Sequence, residues 1–159
     1  MRSSNKEPNA TAIDLTTTTF NSNVTNLKLL FSSIPNVKSI NLSGWDTSRV
    51  TNIYATFGHD KSLESVNISG WNLSNAKSIA SLFDGDSNLS NIDLSNVNFG
   101  NNIGDNGDSF GHVGNKLSNV NLTNAKGIPE AVLRAWGQAA KNTKATELSM
   151  STFTVSTDS

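Results

Sequence analysis

Cysteine is absent from this chain of 159 residues, which excludes disulfides, thiolate nucleophiles and thiolate zinc sites. Charge is scarce as well: 16% of the residues are charged, and the net charge is −1. Because there is no basic stripe to attract phosphates, we expect neither a nucleic acid nor an anionic membrane surface as a partner. No apolar run approaches the roughly 20 residues that span a bilayer, so we expect no membrane insertion.

Signatures of catalysis are missing too. The chain has two histidines and scattered carboxylates, without a nucleophile elbow, a phosphate-binding loop, a metalloprotease helix or a dinucleotide fingerprint. We therefore expect a protein that is not an enzyme and has no catalytic residues.

The chain does contain one short pattern that recurs five times: an apolar residue, a polar residue, an apolar residue, and Ser or Thr. These quartets occupy residues 13–16, 40–43, 66–69, 92–95 and 120–123, at intervals of 27, 26, 26 and 28 residues. A fixed period of this length predicts a solenoid in which each unit contributes one strand. A weaker sixth copy at 148–151 predicts a terminal strand.

A second periodic feature is a phenylalanine spine formed by Phe31, Phe57, Phe83 and Phe110. Ahead of Phe57, the residues Val50, Ile53 and Tyr54 stand at helical spacing, which predicts a short helix in each unit. The predicted fold class is therefore an α/β repeat solenoid, a leucine-rich-repeat-like stack of about five to six units. Each unit would consist of a parallel strand, a turn and a short helix.

The domain boundaries follow from where the repeat begins and ends. We predict a disordered leader at 1–10, the solenoid at 11–126, a C-terminal cap at 127–151 and a tail at 152–159. The cap would combine the terminal strand with a helix that opens near Pro129, because apolar residues line one face of that segment. Neither a secretion signal nor an anchor is recognisable in this chain.

The second and third units resemble the BspA-like leucine-rich-repeat surface proteins of bacteria. The similarity is carried by INLSGWDTSRVTNIYATF at 40–57 and VNISGWNLSNAKSIASLF at 66–83, and it extends more weakly over about 11–123. Shared positions such as Gly44, Trp45 and Phe57 define the repeat. The resemblance implies an extracellular, cell-surface adhesion module, often part of a larger anchored protein, and it transfers no catalytic residue.

Alternation along a strand places the polar residues of each quartet on the solvent side of the sheet. The predicted ligand-binding surface is this sheet face, with the following residues: Asn41, Ser43, Asn67, Ser69, Asp93, Ser95, Asn121 and Thr123. Uncharged amides and hydroxyls supply both donors and acceptors, which suits neutral glycans or a peptide backbone. The alternative is that polar residues on a solvated face bind nothing.

The loops before the strands collect the titratable side chains. A divalent-cation site, with calcium as the ion, would draw on Asp84, Asp86, Asp105, Asp108, His59 and His112. The alternative is that these residues are simply turn formers, since the sequence lacks the glycine and the glutamate of the calcium-loop motif. Apart from calcium at this position, we expect no cofactor.

Trp45 and Trp71 stand one repeat apart on the same turn, which leaves two interpretations. They could form an exposed stacking pair for sugar rings, or they could pack over the edge of the core.

The functional expectation is a monomeric, non-catalytic adhesion module. Its partner would be a host or cell-surface protein or glycan, bound through the sheet face or the loop edge. Two alternatives remain open: a structural spacer in a larger surface protein, and a self-association module that pairs an exposed final strand with another copy.

Overall fold

A computed structural model describes residues 11–101, 103, 109, 113 and 116–129. Within these residues, five strands of three residues each form one sheet: β1 (Ala12–Asp14), β2 (Ser39–Asn41), β3 (Ser65–Asn67), β4 (Asn91–Asp93) and β5 (Asn119–Asn121). The strands lie in sequence order, and every neighbouring pair is parallel. The chain therefore completes one coil between successive strands, which confirms the repeat solenoid.

The central residue of each inner strand points into the core. Ile40 pairs with Val66, which in turn pairs with Ile92, and each of the three is 1% exposed. Ser39 and Asn41 on either side of Ile40 are only half-buried, because side chains alternate along a strand. Burying an apolar side chain of this size is worth about 1.5–3 kcal/mol relative to leaving it exposed, so each coil is stabilised by the next.

The prediction of a short helix before Phe57 is wrong. The amides of Ala55 and Phe57 donate to carbonyls of the next coil at 3.2 Å, and the amide of Thr56 donates to the carbonyl three residues back at 3.2 Å. An α-helix would instead bond each amide to the carbonyl four residues back. Ala55 also has a φ of 49°, in the left-handed region. The segment is a run of turns bonded to the neighbouring coil, and the described ranges contain no α-helix.

The fold is therefore a parallel β-solenoid rather than the α/β leucine-rich-repeat stack expected from the sequence. The predicted capping helix and the predicted sixth strand at 148–151 lie outside the described residues, apart from positions 128 and 129, which are not helical. The described residues contain no helix long and apolar enough to cross a membrane.

Asparagine and aspartate shape the corners of every coil through one repeated contact. The side-chain Oδ1 accepts the backbone amide two residues further on, at 2.8–3.1 Å, and so closes an Asx turn. These turns form three columns. The first column holds Asp14, Asn41, Asn67, Asp93 and Asn121, the second holds Asn21, Asp46, Asn72 and Asn98, and the third holds Asn26 and Asn52.

Aromatic side chains stack through the core along the solenoid axis. The ring centroid of Phe57 lies 6.1 Å from that of Phe31 and 5.8 Å from that of Phe83. Trp45 and Trp71 stack at 6.1 Å, and Trp71 is fully buried with its Nε1 donating to the carbonyl of Leu42 at 2.9 Å. The packing interpretation of these tryptophans is therefore confirmed.

Two glycines allow a test of backbone strain against steric clash. Gly70 has a φ of 79° and open space where a Cβ would be, whereas at Gly100, with a φ of 75°, an added Cβ would lie 2.6 Å from the Cα of Ser74. We expect Gly70→Ala to cost about 1–2 kcal/mol through the left-handed conformation alone. Gly100→Ala should cost more, because a backbone atom must also move. Urea denaturation measures both changes.

The matched control is Gly70→Asn, because Asn96 adopts a φ of 60° at the equivalent corner one coil later. We expect this variant to be more stable than Gly70→Ala, since asparagine tolerates the left-handed region better than alanine does. Equal losses for the two alanine variants would contradict the role of the close contact at Gly100.

Trp71 offers a test of the buried hydrogen bond. Trp71→Phe keeps an aromatic ring in the stack but removes the donor to the Leu42 carbonyl. Leaving a buried acceptor unpaired costs about 1–3 kcal/mol, and the smaller ring adds a cavity. We therefore expect the free energy of unfolding to fall by at least ~2 kcal/mol. The same change at Trp45, which is 8% exposed and donates at 3.2 Å, should cost less.

Candidate functional site

The structure places the predicted sheet-face residues in two adjacent columns on the outside of the solenoid. Asn41 and Asn67 are half-buried, and their Oδ1 atoms accept the amides of Ser43 and Ser69 at 3.1 and 2.9 Å. Asp93 accepts the amide of Ser95 in the same way at 2.9 Å, and Asn121 accepts that of Thr123 at 3.0 Å. These side chains therefore have a structural role whether or not a ligand binds.

The asparagines keep one free group each. With Oδ1 engaged, the Nδ2 amides of Asn41, Asn67 and Asn121 remain on the outer face without a hydrogen-bond partner among the described residues. The hydroxyls of Ser43 and Ser69 are free in the same sense. Adjacent parallel strands are about 4.8 Å apart, so the free donors of Asn41 and Asn67 recur at that spacing.

A further outward column escaped the sequence analysis. The first residues of β2 to β5 also face outward, and they are Ser39, Ser65, Asn91 and Asn119. Extending the alternation one residue ahead of each quartet would have found them. They widen the polar face, and together with the Asn/Asp and Ser/Thr columns they make up what we call the outer sheet face.

The outer sheet face carries little charge. Its three columns contain two acidic positions, Asp14 and Asp93, and no basic one within the described coils. Hydrogen bonds from the hydroxyl and the amide of Thr16 hold the pKa of Asp14 below its ordinary value. The surface therefore offers hydrogen-bonding groups more than it offers an electrostatic field.

The predicted metal ligands are not all brought together. His59 is exposed and its amide donates to the carbonyl of Asp84 at 2.7 Å, whereas Asp86 points inward and is fully buried. The described part of the chain contains no group of three or more His, Cys, Asp or Glu side chains arranged to hold a metal ion. The other three predicted ligands, Asp105, Asp108 and His112, lie outside it.

A groove of about 400 Å³ runs along the loops that precede β2 and β3. It is lined by Ser33, Ile34, Pro35, Asn36, His59, Lys61 and Ser62. His59 adopts a φ of 62° there, and its Nδ1 lies over Gly85, where an added Cβ would approach it to 2.6 Å. Of the three predicted metal ligands that the structure describes, His59 lines this groove.

Two buried carboxyl groups lie in the loops that follow Phe57 and Phe83. Asp60 and Asp86 are 1% and 0% exposed. The Oδ1 of Asp60 accepts the amide of Ile34 at 2.7 Å, and the Oδ1 of Asp86 accepts the amide of Asp60 at 2.8 Å. The Oδ2 atoms of both are buried without a hydrogen-bond partner. An aspartate in a Gly- and Ser-rich loop is normally exposed, so the sequence gives no signal for this burial.

Burial raises the pKa of both groups. The pKa of Asp60 rises to about 7, although the amides of Ile34 and Ser33 oppose the rise. Burial raises the pKa of Asp86 to about 9; the amide of Asp60 opposes this rise, and the carboxyls of Asp60 and Asp84 add to it. Both shifts have the physical cause expected of a carboxylate that loses its hydration.

The architecture and the outer sheet face define a class of protein, the parallel β-solenoid built from coils of about 26 residues. Within that class, the chain belongs to the family described as "Mycoplasma protein of unknown function, DUF285", whose sequence model matches residues 3–124. No curated protein and no solved structure matches the chain significantly.

The Asx contact on the outer sheet face can be tested at Asn67. Asn67→Ala removes the acceptor for the Ser69 amide, and we expect a loss of about 1 kcal/mol in the free energy of unfolding. Asn67→Asp keeps the acceptor, as Asp93 does one coil later. At pH 7 the new carboxylate also stands opposite Asp93 on the neighbouring strand, so we expect the stability of this variant, measured by urea denaturation, to lie between those of Asn67→Ala and the wild type.

The two variants differ in their pH dependence, because only Asn67→Asp introduces a titratable side chain. At the exposed Asx turns of Asp14 and Asp46, hydrogen bonds from the hydroxyl and then from the amide of the residue two positions on hold the pKa of the carboxyl below its ordinary value of 3.8. Ser69 offers the same two donors at position 67. The stability that such a carboxylate provides is present above pH 4 and is lost as the pH falls through the folded-state pKa. Asn67→Asp should therefore lose stability relative to the wild type at pH 2–3, and no such loss would contradict the Asx assignment.

Proposed function

We propose that this chain is a non-catalytic binding module of a bacterial cell surface, and that its ligand is a neutral glycan held across the outer sheet face. The observation that carries the proposal is the column of free Nδ2 donors on Asn41 and Asn67, flanked by serine hydroxyls at the same spacing. Neutral sugars are recognised through hydroxyl groups, and amide and hydroxyl side chains can donate to and accept from them.

The dimensions and rigidity of the outer sheet face also support a glycan ligand. Five parallel strands span about 19 Å, which is long enough for several sugar rings. The outer sheet face is held by backbone ladders and Asx turns, so little ordering of side chains is needed when a ligand binds. An extended peptide is the second ligand class that such a surface could accept.

Extracellular location rests on the resemblance to BspA-like surface proteins in the units at 40–83. The absence of cysteine fits either side of a bacterial membrane. A spacer that projects another domain, and a module that associates with itself, are the competing functions, and both predict that the isolated outer sheet face binds no glycan.

The test is binding of the purified chain to an array of neutral glycans, compared with the double variant Asn41→Asp/Asn67→Asp. This change keeps both Oδ1 acceptors and the Asx turns but removes the two free donors. We expect at least a tenfold loss of affinity, because a site built around donors is left with unpaired or repelled ligand oxygens.

The matched control is Asn72→Asp/Asn98→Asp. It makes the same chemical change and the same change in net charge at Asx turns of consecutive coils in the second column, which holds Asp46 as the first column holds Asp93. Affinity should be unchanged. Equal losses in both variants would attribute the effect to net charge, and no binding by the wild-type chain would favour the spacer.

A further inference from the structure

Asp60 and Asp86 occupy equivalent positions of consecutive coils, each three residues after a phenylalanine of the spine. Their neighbours in the same column are apolar: Ile34 one coil earlier, and Val113 three residues after Phe110. Each carboxyl bonds through Oδ1 to the amide of the residue one coil before it. The pair therefore joins three successive coils along one edge of the solenoid.

In this arrangement only one of the two oxygens of each carboxyl group has a hydrogen-bond partner. The Oδ2 atoms of Asp60 and Asp86 are buried without a partner. An ionised carboxylate in such a place loses its hydration without compensation, and two of them in adjacent coils repel each other. A neutral carboxyl group escapes both costs and can still accept the amide through Oδ1; its buried O–H is left unpaired, which costs less than a buried charge.

We infer that Asp60 and Asp86 form a proton-sensitive clasp, which holds the loops 58–63 and 84–89 closed when both carboxyls are protonated and lets these loops open when the carboxyls ionise. The groove above is coupled to the clasp, because Ile34 both lines the groove and donates its amide to Asp60. Opening of the clasp therefore changes the shape of the groove.

The other ionisable groups near the clasp are few. In the loop of the preceding coil that bonds to Asp60, residues 33–36 include no ionisable side chain. His59 and Lys61 flank Asp60 in the sequence, and Asp84 raises the pKa of Asp86. Among the described residues of the following coil, Lys116 donates to the Oδ1 of Asn88 at 2.8 Å. None of these contacts supplies a cation to the buried Oδ2 atoms.

The direction of the pH effect follows from the raised pKa values. An opened loop restores each carboxyl toward its ordinary pKa of 3.8, whereas the closed state has values of about 7 for Asp60 and about 9 for Asp86. Below pH 4 both states are protonated and the clasp is fully effective. Between pH 4 and 7 opening releases a proton from Asp60, and between pH 4 and 9 from Asp86. Within its pH range, each group raises the equilibrium constant for loop opening by up to about tenfold per pH unit.

The experiment is site-resolved amide hydrogen exchange from pH 5 to pH 9 on the full chain, expressed as protection factors so that base catalysis of exchange is removed. The amides of Ile34 and Asp60 report directly on the two bonds of the clasp. We expect the protection of both to fall at least tenfold between pH 5 and pH 7, and that of Asp60 to go on falling above pH 7.

Asp86→Asn keeps an Oδ1 acceptor but cannot ionise, so it should remove the fall at the Asp60 amide above pH 7. The matched control Asp46→Asn changes an exposed aspartate that accepts the Ser48 amide, and it should leave the pH dependence intact. Constant protection in the wild type, or an undiminished fall in Asp86→Asn, overturns the proposal.

A second measurement covers the case in which Asp86→Asn does not fold. The carboxyl carbon of Asp86 in the wild-type chain can be titrated by NMR. A midpoint at pH 7 or above supports the clasp, and a midpoint near the ordinary value overturns it.

Discussion

The bonding of each coil's backbone to the next coil is the constraint on which the rest of this structure depends. Within the described residues a coil has no α-helix and no sheet of its own, so its amides and carbonyls find partners one coil away, along β1 to β5 and along the turns. The residues that bond to the next coil must therefore recur in register, and the longer coils keep this register: the 28-residue interval from β4 to β5 leaves their strands paired. The recurrence of about 26 residues also stacks the phenylalanines and tryptophans in the core.

The sequence predicts the period, the inward residues and the order of the strands, because all three follow from alternation and repetition. It does not distinguish a helix from a run of turns. Val50, Ile53 and Phe57 are fully buried, as a helical stripe would be, but Tyr54, which belongs to the same stripe, is 44% exposed. The deciding facts are the left-handed φ of Ala55 and amides that bond to the next coil, and neither is visible in apolar spacing.

The position of the candidate surface was predictable from the sequence, but the hydrogen bonding of its side chains was not. Alternation places Asn41 and Asn67 outside, yet only the structure reveals that their Oδ1 atoms close turns while their Nδ2 groups stay free. The buried carboxyls were not predictable in either respect. Asp60 and Asp86 lie in loops whose composition is typical of solvent-exposed turns, and their burial depends on how three coils pack against one another.

Stacking also explains why charge is so scarce. Equivalent residues of adjacent coils lie about 4.8 Å apart, so a column of like charges would repel along its whole length, whereas a column of Asn and Ser does not. Outward columns accordingly contain few like charges in consecutive coils. The lack of charge on a column is therefore not by itself a sign that it binds a ligand. Asp60 and Asp86 depart from this rule, since two acids stand in consecutive coils, and they do so in the interior, where repulsion is screened least. A pair that costs stability when ionised is best explained if its two protonation states serve different conformations of the loops.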